Sequence, residues 1–152
     1  MTDSRGITET LILHASLAAV HLGERGWRGV LLVGPSGAGK SDLALRLVQA
    51  GWRLVADDRV IAWPSSERAY GRAPTSLRGL MELRGQGVAK GTVRPFASID
   101  LVANLGHPLE RQPQARFHTV AGLEVPLIDV APFEASAPER LRRALSQDVT
   151  AL

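Results

Sequence analysis

The chain has 152 residues, 45% hydrophobic and 22% charged, with a formal net charge of +3. This is the composition of a globular domain with a real core, not of a disordered or fibrous chain. It contains no cysteine, which excludes a disulfide framework and a thiolate metal site.

The stretch 1–10 is polar, carries acids and does not read as a signal peptide. The apolar runs are too short to span a bilayer, so a cytoplasmic protein without membrane contact is expected. Apart from Lys40 and Lys90 the basic residues are arginines, with clusters at Arg111 to Arg116 and Arg140 to Arg143. A mild positive excess attracts acidic partners or nucleotides. There is no zinc-finger spacing, basic heptad region or aromatic RNA-binding signature, so no nucleic-acid partner is expected.

In chain order, Leu11 to Val20 reads as one strand or buried extended segment, with His14 in the middle of its apolar run. By composition a histidine there is a core residue. A turn-rich stretch follows from His21 to Arg28. Gly29 to Val33 is a short, fully apolar strand, suited to the middle of a sheet. Next comes Gly34-Pro35-Ser36-Gly37-Ala38-Gly39-Lys40-Ser41, which fits G-x-x-x-x-G-K-[ST] at every fixed position. Ser41 to Ala50 has the apolar spacing of an amphipathic helix, and Gly51 sits where a helix-terminating glycine belongs.

That order of strand, loop and helix gives the motif its mechanism. Glycines let backbone N–H groups face a phosphate, and the helix dipole adds positive charge there. Lys40 is expected to reach the β- and γ-phosphates and Ser41 to ligate Mg²⁺, so ATP and Mg²⁺ are the implied ligands.

Trp52 to Ala56 reads as a second strand, ending on Asp57-Asp58. An acid at the end of a neighbouring strand is what the magnesium of such a site requires. Adjacent strand residues point to opposite faces, so both acids can serve only if the backbone bends there. One would then bind metal while the other takes a proton from an attacking hydroxyl. The alternative is a pair of solvated turn aspartates.

Arg59 to Trp63 continues extended, and Pro64 to Glu67 reads as a turn. Tyr70 to Arg94 is rich in Gly, Arg and Pro. Within it, Glu82 and Arg84 stand beside Gly85 and Gly87, where the backbone can approach a ligand closely. Arg84 could steady phosphate charge, and a surface salt bridge explains the pair equally well. Ser98 to Leu105 alternates like one strand. Phe117 to Ala121 and Leu123 to Ile128 are strand candidates around Gly122. Pro138 to Leu145 reads as a C-terminal helix. His21, His107 and His118 have no metal-ligand spacing, and Trp27, Trp52 and Trp63 read as packing residues. There is no internal repeat or domain boundary, so 1–152 reads as one domain.

Four stretches together resemble HPr kinase/phosphorylase: His14-Ala-Ser16, the loop Gly34 to Ser41, Gly51-Trp-Arg-Leu-Val-Ala-Asp-Asp58, and Glu82-Leu-Arg-Gly-Gln-Gly87. The loop alone is generic; the order of all four is much more specific. The resemblance covers the family's catalytic domain from about His14 onward, and the N-terminal domain of the longer members has no counterpart in these 152 residues. It implies an α/β P-loop kinase domain related to phosphoenolpyruvate carboxykinase, with a mixed sheet and few helices. It also implies a hexamer.

The implied activity is ATP-dependent phosphorylation of a serine in HPr, the phosphocarrier of the sugar phosphotransferase system, or in a nitrogen-related paralogue. In many members phosphorolysis of that phosphoserine is implied too. His14 matches the family's active-site histidine, Lys40 the phosphate-loop lysine and Asp58 the proton acceptor. Asp57 stands beside Asp58 and could share proton transfer or metal binding. Glu82 matches a second Mg²⁺ ligand, and Arg84 belongs to the signature stretch.

Three segments depart from the family. Val20 to Gly29 is longer, so His14 is expected to reach the site across an unusual loop. Ala89 to Phe96 lacks the usual apolar stretch. Ile128 and Asp129 stand in place of an arginine-bearing loop tied to phosphorolysis, which favours the kinase direction. The loop alone also admits a small-molecule P-loop kinase or NTPase, or a nucleotide-sensing module without transfer.

Overall fold

A computed structural model of the chain describes residues 11–74, 92–106 and 116–147. Its strands are β1 (Leu11–Leu13), β2 (Ser16–His21), β3 (Trp27–Val33), β4 (Arg53–Ala56), β5 (Val60–Ser65), β6 (Arg68–Arg72), β7 (Ala97–Ile99), β8 (Leu101–Asn104), β9 (Arg116–Val120) and β10 (Leu123–Asp129). Two helices are described, α1 (Lys40–Gln49) and α2 (Ala137–Ser146).

Six strands form the central sheet in the order β4-β2-β3-β8-β10-β9. Strand β3 is parallel to β8, and β8 to β10. Strand β2 is antiparallel to both β3 and β4, so β4 runs with β3. Strand β9 is antiparallel to β10. The C-terminal ends of β4, β3, β8 and β10 therefore share one edge with the starts of β2 and β9. A second, antiparallel sheet has the order β1-β5-β6-β7.

Period-two alternation splits the core between the two faces of the central sheet. Ala18, Val20, Val30, Leu32, Leu101 and Ala103 pack with Leu43, Leu47, Leu141 and Leu145 of the helices. Leu17, Ala19, Leu31 and Val102 pack with Val60, Ala62, Ala69 and Ile99 of the second sheet. The layers are thus helices, central sheet and second sheet.

Helix α1 ends as its sequence dictates. Gly51 takes φ 100°, its N–H donates to the Val48 carbonyl at 3.0 Å, and the Trp52 N–H donates to the Leu47 carbonyl at 3.0 Å. These are the paired bonds of a Schellman motif, and Trp52 and Leu47 share one core cluster.

Two sequence-predicted strands each divide between sheets. Leu11 to Val20 is broken at His14-Ala15 into β1 and β2. His14 is exposed at that break, so the core reading of it is wrong. Ser98 to Leu105 is broken at Asp100 into β7 and β8. The Asp100 carboxylate accepts from the Gly29 N–H at 3.0 Å, from Ser98 Oγ and from Arg68 at 2.7 Å. That hydrogen bond raises the Arg68 pKa above its ordinary value, against the opposing effect of burial. A Cβ at Gly29 would overlap the Ser98 carbonyl oxygen, so only glycine lets the chain cross here.

Pro64 and Ser65 belong to β5 rather than to a turn. The turn is Ser66-Glu67, with φ 49° and 64°, the two-residue type I′ geometry that twists with its strands. Strand β6 occupies the start of the Gly- and Arg-rich stretch, where the sequence suggested no strand. Of the tryptophans, Trp52 is buried, Trp27 lies under Arg94, and Trp63 stacks on Tyr70 on the outer face of the second sheet.

Candidate active site

The edge where β4, β3, β8 and β10 end carries the loop, the acid pair and the start of β2. Gly34, Gly37 and Gly39 take φ of 153°, 86° and 100°. The Ala38 N–H closes a turn on the Pro35 carbonyl at 3.0 Å. Lys40 is only 9% exposed, and its ammonium donates to the carbonyls of Gly34 (2.6 Å) and Pro35 (3.1 Å). Helix α1 begins at Lys40 with Gly39 as its cap, and no side chain among the described residues caps its first N–H groups. An uncapped helix start after a glycine-rich turn is the arrangement that binds phosphate.

The backbone bends at the acids, as joint use of both requires. The β2–β4 register slips between Leu17 and Ala18, and Asp58 takes φ 72°. Ser16, fully buried at the start of β2, fixes the bend. Its Oγ donates to Asp57 Oδ1 at 3.0 Å and accepts from the Asp58 N–H at 3.1 Å. Ser41 Oγ donates to the same Asp57 oxygen at 2.8 Å. One carboxylate oxygen thus ties β2, α1 and the end of β4 together. Asp58 is exposed.

On the other side of the loop, Asp129 ends β10. It accepts from Asn104 Nδ2 at 2.8 Å and from Arg116 Nη2 at 2.8 Å, and the Arg116 Nη1 is buried with no partner among the described residues. The Asn104 Oδ1 accepts from the Gly106 N–H at 3.2 Å. Gly106 lies against Gly34 and Pro35, so this network props the first part of the loop.

His14 stands two residues before Ser16. The longer segment around Gly23 to Arg25 is a short 3-10 turn joining β2 to β3 at their far end. It does not come between His14 and the loop, so the expected detour does not exist. Glu82, Arg84, Gly85 and Gly87 lie outside the described residues, as does His107.

Among the described residues no group of three or more His, Cys, Asp or Glu could cage a metal. Ser41 and Asp57 nevertheless suit Mg²⁺. That ion is held by one or two carboxylates together with substrate phosphates, not by an all-protein cage. No helix among the described residues is long and apolar enough to cross a membrane.

Sequence reasoning gave no role of their own to Ser16, Asn104 and Arg116. Ser16 had a signal, a lone hydroxyl in the apolar run from Leu11 to Val20. Arg116 had none, because nothing local pairs it with Asp129, 13 residues away.

A strand, a glycine loop with lysine and serine, and a helix on a mixed sheet define a P-loop kinase fold. Residues 7–130 match the family HPr Serine kinase C-terminal domain, and the chain belongs to that family. It is 39% identical over 129 residues to the HPr kinase/phosphorylase of Caldanaerobacter subterraneus subsp. tengcongensis, covering 78% of this chain and 41% of that protein. It is 47% identical over 85 residues to the HPr kinase/phosphorylase of Latilactobacillus sakei, covering 51% of this chain and 27% of the relative. In both cases the chain spans less than half the length of the relative. The fold matches the structure of the Hpr(Ser) kinase/phosphatase from Coxiella burnetii with a TM-score of 0.66 and 22% identity, covering 88% of this chain and 90% of that one.

Proposed function

We propose that this chain is an ATP-dependent serine kinase whose acceptor is HPr or a paralogue of it. The observation that carries the reading is the 2.8 Å bond from Ser41 Oγ to Asp57, which brings the acid pair to the lip of the loop. Gly34, Pro35, Ser36, Gly37, Ala38, Gly39, Lys40 and Ser41 form the loop, whose free backbone N–H groups face the phosphates of ATP; Pro35, which has no N–H, contributes only shape. Lys40 moves its ammonium from the loop carbonyls to the β- and γ-phosphates. Bound Mg²⁺ would neutralise phosphate charge, held by Ser41, Asp57 and Glu82.

The acceptor serine oxygen attacks the γ-phosphorus in line. Its bond to phosphorus forms as the bond to the β–γ bridging oxygen breaks, ADP leaves, and the serine proton passes to Asp58. Asp58 suits this role because it is exposed while its backbone is fixed by Ser16. His14 lines the same edge, and Arg84 offsets charge on the transferring group. Catalysis is mostly positioning and electrostatics. The working assembly is a homo-oligomer, a hexamer by resemblance, in the cytoplasm.

Turnover of γ-labelled ATP with and without HPr tests the reading. Label on HPr, absent when HPr is omitted, is the expected result. ATP binding with no label on HPr would leave a nucleotide sensor, and label on a small acceptor alone would leave a small-molecule kinase.

A further inference from the structure

Among the described residues, one side of the phosphate loop is open to the base of a bound nucleotide. The acid pair and β2 occupy the β4 side of the loop. In open α/β sheets ligands lie across the strand ends at the point where the connections diverge. A nucleotide whose terminal phosphate faces Asp57 and Asp58 therefore extends toward the ends of β8 and β10.

The chain leaving β10 carries Phe133, an aromatic ring 71% exposed. Its ring edge lies against Gly39, so closely that a Cβ there would come within 3.0 Å of Cζ. This loop is fastened to α1. Arg46 Nη1 donates to the Pro132 carbonyl and Nη2 to the Glu134 carbonyl at 2.6 Å, on either side of the ring. Asp42, one turn earlier on α1, lies 3.7 Å from the Arg46 guanidinium and helps to aim it. The Glu134 N–H also closes a turn on the Ala131 carbonyl. A large apolar side chain thus stands in water beside the phosphate loop, on a backbone fastened to α1 at both neighbouring residues and on the side toward which the nucleotide extends.

We propose that Phe133, held by Arg46, is the stacking platform for the nucleobase of the bound nucleotide. One ring edge rests on Gly39 while an open face takes the planar base. Stacking reads a planar face rather than a hydrogen-bond pattern, so the subsite takes nucleotides of any base, purines over the larger area. The inference rests on the nucleotide reading above.

The test compares ATP with inorganic tripolyphosphate, which keeps the phosphates and lacks the base. Calorimetry with Mg²⁺ should show that Phe133→Ala weakens ATP roughly tenfold, as base–aromatic stacking predicts, with tripolyphosphate affinity unchanged. Phe133→Trp should retain ATP affinity, and the introduced indole fluorescence should be quenched by ATP but not by tripolyphosphate. Unchanged ATP affinity in Phe133→Ala, or an equal loss for both ligands, overturns the platform while leaving the phosphate site standing. Failure of the unsubstituted protein to bind either ligand overturns the nucleotide reading itself, and the platform with it.

Discussion

Replacing Ser16 by alanine should both loosen the fold and slow the chemistry. Ser16 is 0% exposed, and its hydroxyl makes two bonds, to Asp57 Oδ1 at 3.0 Å and from the Asp58 N–H at 3.1 Å. Asp57 keeps Ser41 at 2.8 Å, so its carboxylate is not abandoned. The Asp58 N–H loses its hydroxyl acceptor in a partly buried bend. The expected loss of stability is about 2 kcal/mol, the order for a buried donor left without its acceptor. For a chain of this size that lowers the melting temperature by about 4–8 °C. The bend at φ 72° is then less well held, and kcat for transfer to HPr should fall roughly tenfold through misplacement of Asp58. Differential scanning calorimetry and initial rates measure the two effects. A melting temperature within about 1 °C of the parent together with unchanged kcat would refute the claim that Ser16 holds the acid corner.

Three further substitutions separate other parts of the argument. Asp58→Ala should lower kcat by roughly 10²–10⁴-fold while ATP affinity in calorimetry stays near the parent value; normal turnover would remove Asp58 as the base. Gly29→Ala should cost about 3 kcal/mol in denaturant unfolding, because its Cβ meets the Ser98 carbonyl where the chain crosses between sheets. Gly51→Ala meets nothing within 4 Å, so only its φ of 100° is penalised, by about 1 kcal/mol. Equal losses for the two glycine variants would contradict this division into steric and conformational costs.

What local chemistry controls was readable in the chain. The loop, α1 and its glycine stop, and the end of β4 are set by contiguous residues, and the structure has them within a residue or two of expectation. The bend at Asp57-Asp58 was readable only as a condition, that both acids can serve one site if the backbone bends there, and the backbone does bend. What escaped were changes of sheet. Nothing in Leu11 to Val20 or Ser98 to Leu105 says that the two halves pair with different partners. The apolar run of Leu11 to Val20 and the alternation of Ser98 to Leu105 each continue across the break, and only His14 and Asp100 mark the corners. The partners of Asp129 and the fastening of the Phe133 loop by Arg46 lie far apart in sequence, and only the tertiary fold joins them.

The central claim is phosphate transfer to a protein serine, and intact-mass spectrometry of HPr tests it most directly. After incubation with this protein, ATP and Mg²⁺, HPr should gain the mass of one phosphate, mapped to a serine by fragmentation. Lys40→Ala, which removes the ammonium now donating to Gly34 and Pro35, should lower that transfer on the order of 10²–10³-fold while the protein stays folded. No gain of mass on HPr or its paralogue, with ATP still bound, would contradict the account.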